Sequence, residues 1–468
     1  MTLIVVLLLI LGYLLIATGH LTGVNKSAIA VFIGTAGWVV YICWGTDFVM
    51  AEHPADYADY LVGQTPSSQA VKHFIHNQIF IHYVGRAASI VLFLLATMTI
   101  VEILTGNGCF DFITEWVSTP KTSRLLPAIT LATFLLSANL SNLTTATMML
   151  IVTRALVHSR RQRMLVGSAV VLAANCGGCF TVIGDPTSLL LWGDGAVTPT
   201  AFSSALALPS LVACAVPVAL IARQLPARLD TVPTAPPYRG DDTNLNRWQR
   251  LVMLFVGIGG LWFIPTFHNL TKLTPFLGAL CVLSVLWVVN EAFNRKLNAS
   301  DQKTGRLVPR ATQYGAIQQI LFVTGIMLAM GVMTETGVFG DISAWIDDTF
   351  HSVWVTGLLA ALLSSLVDTF TVAATCISLY PVATPDSLAC GPAADYAASF
   401  APNGAYWQVI SYATAVGGTL LSVGSVSGLA LMQMEHVRLG WYLKNITPKI
   451  LVGFICGLIV LWAEHTLL

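Results

Sequence analysis

The chain has 468 residues, 55% of them hydrophobic and only 10% charged, and its 23 basic and 23 acidic side chains balance to zero net charge. Mean hydropathy is +0.74. Soluble domains carry about 25% charged residues, so an ordinary soluble enzyme is excluded, and neutrality argues against a nucleic-acid partner.

Apolar runs able to cross a bilayer, for which roughly 20 residues suffice, recur from end to end. They include 2–18, 276–293 and 450–468. The first lacks the basic flank and small-residue cleavage site of a signal peptide and is expected to be a retained helix. The chain is therefore expected to be an all-α polytopic membrane protein, with lipid as its surrounding partner. Most cysteines, such as Cys43, Cys214, Cys281, Cys376 and Cys456, lie in apolar runs as small hydrophobes.

Basic residues cluster at 121–124, 154–163, 223–250, 295–310 and 438–449; with Lys26, twenty of the 23 fall on one face. Only Lys72 and Lys272 fall on the other, and Arg86 lies within a span. The positive-inside rule makes the basic face cytoplasmic. Residues of about 125–156 have basic flanks at both ends, so they should enter from the cytoplasm and turn at "SANLSNLTT". Residues of about 354–380 have flanks without Lys or Arg and should enter from outside. With these two re-entrant hairpins every other span fits the charge pattern, and both termini fall on the outer, periplasmic side. Irregular backbone at membrane depth is tolerated only in protein or beside a wet cavity, so the tips should be functional.

The chain also repeats itself. Residues 93–117 align without gaps on 322–346, pairing Phe93/Phe322, Met98/Met327, Thr105/Thr334, Gly108/Gly337, Phe110/Phe339 and Trp116/Trp345. Then 137–146 lies over 364–373, and 177–188 over 417–428. Two halves, 1–223 and 251–468, flank a Pro-rich polar stretch, 224–250, expected to be a cytoplasmic linker. Opposed halves with broken helices, here expected at about 164–192 and 404–434, point to an inverted-repeat secondary transporter with a midplane site.

The stretch "AANCGGCFTVIGDP" (173–186) holds Cys176 and Cys179. It lacks the soluble βαβ setting of a redox pair, and only Asp185 is near as a further metal ligand. The repeat keeps the glycines and not the thiols. Gly177, Gly178 and Gly184 recur as Gly417, Gly418 and Gly424, and are expected to unwind the helices and expose backbone to an ion. Asp185 and Asp368 are ionisable groups within apolar segments and hence functional candidates. Ser141, Asn142 and Thr144 at the first tip, Thr369 and Thr371 at the second, and Thr187, Ser425 and Ser427 along the breaks supply the neutral oxygens a hard cation such as Na⁺ wants beside a carboxylate. Each hydroxyl has an equal alternative in bonding back to its own helix. Glu102, Arg86 and His82 form a second tier: a snorkelling carboxylate, a partner for a buried carboxylate or an anion path, and a proton relay or packing ring.

The runs "MTIVEILTGNGCFDFI", "SNLTTATMM", "GGCFTVIGDPTSLLLW", "SSLVDTFTVAA" and "GGTLLSVGSVSGLALM", with 25–34 and 441–454, resemble the NhaD-type sodium/proton antiporters of the ion transporter superfamily. The resemblance implies exchange of Na⁺ or Li⁺ for H⁺ across the bacterial inner membrane, with no cofactor and Na⁺ held at Asp185 and Asp368. It also implies an elevator-like motion and a homodimer. Three positions depart from the family's usual pattern. Ser141 stands where an aspartate is usual, Thr369 where an asparagine is, and Arg86 where a glutamate is. The first tip thus looks like the neutral Ser-Asn-Thr sites of the superfamily's anion carriers. A Na⁺-coupled carrier of a small anion or carboxylate, with Ser141, Asn142 and Arg86 addressing the anion, is the second reading. No triad, P-loop or metal cluster speaks for an enzyme.

Overall fold

A computed structural model describes residues 2–62, 65–117, 119–231, 245–294, 310–383 and 394–467. Among these, eight helices are long and apolar enough to cross a membrane. They are Lys26–Cys43, Ser68–Gly106, Arg160–Phe180, Pro199–Ala222, Arg247–Thr271, Pro275–Phe293, Ala316–Glu335 and Thr447–Leu467. The protein is an all-helical, multi-pass membrane protein, and the apolar run at the start of the chain forms the helix Thr2–Ala17.

Burial orders these helices from centre to rim. In Arg160–Phe180, 83% of the most apolar window is buried, against 22% in Arg247–Thr271 and 28% in Pro275–Phe293. The former is core; the latter two expose Trp262, Phe263, Trp287 and Val288 on an apolar outer wall.

Two segments turn back on themselves. Thr122–Ser137 and Asn142–Leu156 are joined through 138–141. Both ends are tied to one short extended stretch: Thr122 N donates to Ala227 O (3.1 Å), Leu229 N to Pro120 O (2.9 Å) and His158 N to Asp230 O (2.8 Å). The segment therefore leaves and returns on one side of the molecule. Its first arm has 16 residues, about 24 Å at 1.5 Å per residue and less than the roughly 30 Å of a hydrocarbon core. The second hairpin is Val353–Leu366 followed by Thr369–Leu379. Its start is bent by 119° from the preceding helix, Val338–Phe350. Its end returns beside that same helix, where Tyr380 Oη donates to Asp347 (2.7 Å).

Each hairpin is followed by a broken helix: Arg160–Phe180 with Pro186–Gly193, and Ala405–Gly417 with Val426–Glu435. The contacts recur. Ser137 Oγ donates to Ala174 O (2.6 Å), and Ser364 Oγ to Thr414 O (2.7 Å). The aligned Gly108 and Gly337 both adopt positive φ, 66° and 71°, where glycine alone is unstrained.

The stretch expected to be a linker is structured at both ends. Residues 226–231 brace the first hairpin. Arg247–Leu254 is helical, started by a capping box in which Asn246 and Gln249 bond reciprocally. Residues 232–244 lie outside the described residues.

Candidate cation site at the crossed breaks

The site forms because the halves interlock crosswise. The second arm of the first hairpin, Asn142–Leu156, packs on Val426–Glu435 of the second half, and Thr369–Leu379 packs on Pro186–Gly193 of the first. Asn175 Nδ2 spans them, donating to Ser427 Oγ (2.7 Å), and Ser427 Oγ lies 3.3 Å from Ser425 Oγ.

Three glycines do a different job from the one their sequence suggests. Gly177, Gly178 and Gly417 are inside helices, which run on to Phe180 and Gly417. The breaks begin after them. A Cβ on Gly177 would lie 2.2 Å from Phe134 O, and one on Gly417 2.6 Å from Ala361 Cβ. These residues are small because a hairpin arm lies against the helix, the device membrane helices use for close approach. Gly184, Gly418 and Gly424 do lie in the breaks; a Cβ on Gly184 or Gly424 would sit 2.6 Å from Ser137 O or Ser364 O.

Asp185 ends the first break and is buried, 5% exposed, with extended backbone at the start of the helix Pro186–Gly193. Its Oδ1 accepts from Asn142 Nδ2 of the first tip (3.2 Å). Thr187 Oγ1 lies beside the carboxylate, yet short of hydrogen-bonding geometry. Asp368, fully buried at the second tip, accepts the Phe370 and Thr371 amides on Oδ2 (3.1 and 3.4 Å) and caps the helix Thr369–Leu379.

Several buried oxygens around them lack a hydrogen-bond partner: Ser141 Oγ, Thr145 Oγ1, Asn175 Oδ1, Thr187 Oγ1, Asp368 Oδ1 and Thr371 Oγ1. A buried polar atom left unpaired is costly, and a cluster of bare oxygens round two carboxylates is what a desolvated hard cation offsets. Ser141, Thr187 and Thr371 therefore do not bond back to their own helices. Thr369 N ties the second tip to the second break through Gly424 O (3.1 Å), and Ser425 Oγ is spent on capping Gly428 N. At the first tip Thr144 is half-buried, and its neighbour Thr145 carries the buried bare hydroxyl.

The second tier lies elsewhere. Arg86 pairs in two bonds with Asp194, Nε at 2.8 Å, so its guanidinium is taken at the end of the Pro186–Gly193 helix rather than at the first tip. His82 is exposed, meets the Tyr83 ring edge-on (centroids 5.8 Å apart) and lines a cavity of about 420 Å³ with His53, Asp56, Tyr83 and Glu335. Glu102 is half-buried on the Ser68–Gly106 helix. Cys176 and Cys179 are free, buried thiols in helix packing. Among the described residues no group of three or more His, Cys, Asp or Glu is arranged to hold a metal.

Three groups escaped sequence reasoning. Lys26 reaches Asp368, Nζ standing 4.0 Å from Oδ1. Asn175 bridges the halves. Glu335 gathers His53 Nε2 (2.8 Å) and the Tyr83 (2.7 Å) and Tyr41 (3.5 Å) hydroxyls. A lone carboxylate in "GVMTETG" at the end of an apolar run was the available signal for Glu335.

Fold and site together define a polytopic helical transporter. The chain belongs to the citrate transporter family (CitMHS), whose profile matches residues 1–401, and within it to the NhaD-type sodium/proton antiporters. Sodium/proton antiporter 2 of Arabidopsis thaliana is 31% identical over 388 residues, 82% of this chain and 87% of that one. Sodium/proton antiporter 1 of the same plant is 31% identical over 386 residues; the match covers 82% of this chain and 63% of that relative's length. The Na(+)/H(+) antiporter NhaD of Vibrio cholerae is 26% identical over 429 residues, 86% of this chain and 82% of that one. The crystal structure of the Alcanivorax borkumensis YdaH transporter superposes with a TM-score of 0.48 at 10% identity, over 92% of this chain and 97% of that one.

Proposed function

We propose that this protein exchanges Na⁺ or Li⁺ for H⁺ across the bacterial inner membrane, with both termini on the outer face. The observation that carries the reading is the pair of buried carboxylates, Asp185 and Asp368, among bare hydroxyl and amide oxygens at two crossed breaks. A desolvated carboxylate holds either a proton or a share of a cation, and that exclusivity couples the flows. The two hairpins enter the membrane from opposite faces, and the hairpin-bearing bundle moves against the lipid-facing wall to alternate access. The names of the relatives, sodium/proton antiporters, favour this reading.

A second reading, Na⁺-coupled carriage of a small carboxylate, is favoured by the neutral Ser141–Asn142 tip and the family's citrate name. The pairing of Arg86 with Asp194 counts against it, since that arginine was its anion ligand. Proteoliposomes with an internal pH dye and an acid-loaded lumen separate the two. Antiport gives lumen alkalinisation on adding Na⁺ or Li⁺ but not K⁺. Absence of any pH response, with Na⁺-dependent uptake of a di- or tricarboxylate, would replace it with the carrier reading.

A further inference from the structure

The site holds a cation of its own. Lys26 is the first residue of the helix Lys26–Cys43, which is pinned to Arg310–Glu335 where Gly34 meets Gly325 and where Ser27 Oγ donates to Gln318 O (2.7 Å). That seating carries the lysine stem over the second hairpin, and its side chain is 17% exposed. Nζ donates to Val367 O (3.3 Å) at the tip and to Val423 O (3.2 Å) in the second break, and stands 4.0 Å from Asp368 Oδ1. Asp368 Oδ1 itself accepts no hydrogen bond, and neither does Thr371 Oγ1 one turn on. Two carbonyls and a carboxylate oxygen converging on one point are the donor set of a hard cation. Here an ammonium on a flexible four-carbon stem stands in it. The first half is built otherwise: Asp185 is met by the neutral Asn142 amide.

We propose that the Lys26 ammonium and the transported cation are alternative occupants of the oxygen cage at Asp368. This rests on the exchange reading above. With the cage empty of sodium, the ammonium balances a buried carboxylate that would otherwise stand uncompensated. When sodium enters, Val367 O, Val423 O and Asp368 Oδ1 pass to the ion and the stem swings away. Lys26 thus sets the sodium affinity of the second carboxylate, and keeps the resting site from carrying two unbalanced negative charges.

The test is the Na⁺ dependence of exchange in proteoliposomes. Lys26→Gln keeps a donor for the two carbonyls and removes the charge. It is expected to lower the Na⁺ concentration for half-maximal exchange by at least ~tenfold, since a like charge within a few ångströms is removed. Lys26→Arg stays near wild type, and the gain disappears in Lys26→Gln combined with Asp368→Asn. In the wild type, saturating Na⁺ should also raise labelling of Lys26 by an amine reagent, read by peptide mass spectrometry. Wild type that exchanges Na⁺ while Lys26→Gln shows unchanged or weaker Na⁺ dependence overturns the inference alone, as does Lys26 labelling indifferent to Na⁺. Wild type that exchanges no Na⁺ overturns the exchange reading and the inference with it.

Discussion

The break at 181–185 and the break at 418–425 share a scaffold and differ in charge. In both, a hairpin serine is tied to the carbonyl three residues before the first glycine of the Gly-Gly pair, Gly177 or Gly417, and in both a later glycine presses on the hairpin backbone. Yet the first carboxylate, Asp185, meets an amide, whereas the second, Asp368, meets two backbone N–H groups and an ammonium. A neutral partner leaves a carboxylate its full charge to trade between proton and cation. A cationic partner already answers that charge. On the exchange reading proposed above, this difference places coupling chiefly at Asp185 and affinity tuning at the Asp368–Lys26 pair.

The largest expected effect follows from removing the unanswered carboxylate. Asp185→Asn should reduce exchange to the level of protein-free liposomes while size-exclusion behaviour stays that of wild type. Exchange at even half the wild-type rate would break the assignment of roles. Next in size is the packing of the shared scaffold. Gly177→Ala places a Cβ 2.2 Å from Phe134 O, and overpacking of this kind is expected to destabilise by about 2 kcal/mol, read as a lowered unfolding temperature in detergent. Smaller still are the paired serine bonds: Ser137→Ala and Ser364→Ala should each cost about 1 kcal/mol. Closely matched losses would sharpen the likeness of the two halves; loss at one site only would weaken it.

The smallest effect lies away from both breaks. Burial of the His53 ring disfavours its charge, but hydrogen bonding and charge from Glu335, then Asp56, outweigh this and raise its pKa above the ordinary imidazole value. A raised value means the pair contributes fully below about pH 6.5 and that the contribution fades as pH rises through the raised value. Thermal unfolding between pH 5 and 9 should show that step in wild type and lose it in His53→Gln.

The sequence reveals much of this and hides some of it for physical reasons. Asp185 and Asp368 are legible because a carboxylate inside an apolar run has no cheap explanation. The turns at 138–141 and 367–368 are legible because each apolar run has like flanks at its two ends, which a single crossing would not give. Lys26 is illegible because a lysine at the first turn of a membrane helix looks like any positive-inside residue; only the fold shows it reaching Val367 and Val423. Gly177 and Gly417 are visible as glycines, but the reason for them is a neighbouring backbone distant in sequence. Arg86 illustrates the reverse case, a charge in a span whose partner, Asp194, sits in a loop-like stretch that gives no sign of the pairing.

Calorimetric titration of Na⁺ into purified protein, in two buffers of different ionisation enthalpy, tests the central claim most directly, because it counts protons released per cation bound. The account predicts proton release on Na⁺ binding to wild type and none with Asp185→Asn. Sodium binding to the wild type without proton release, or with release undiminished in Asp185→Asn, would contradict it.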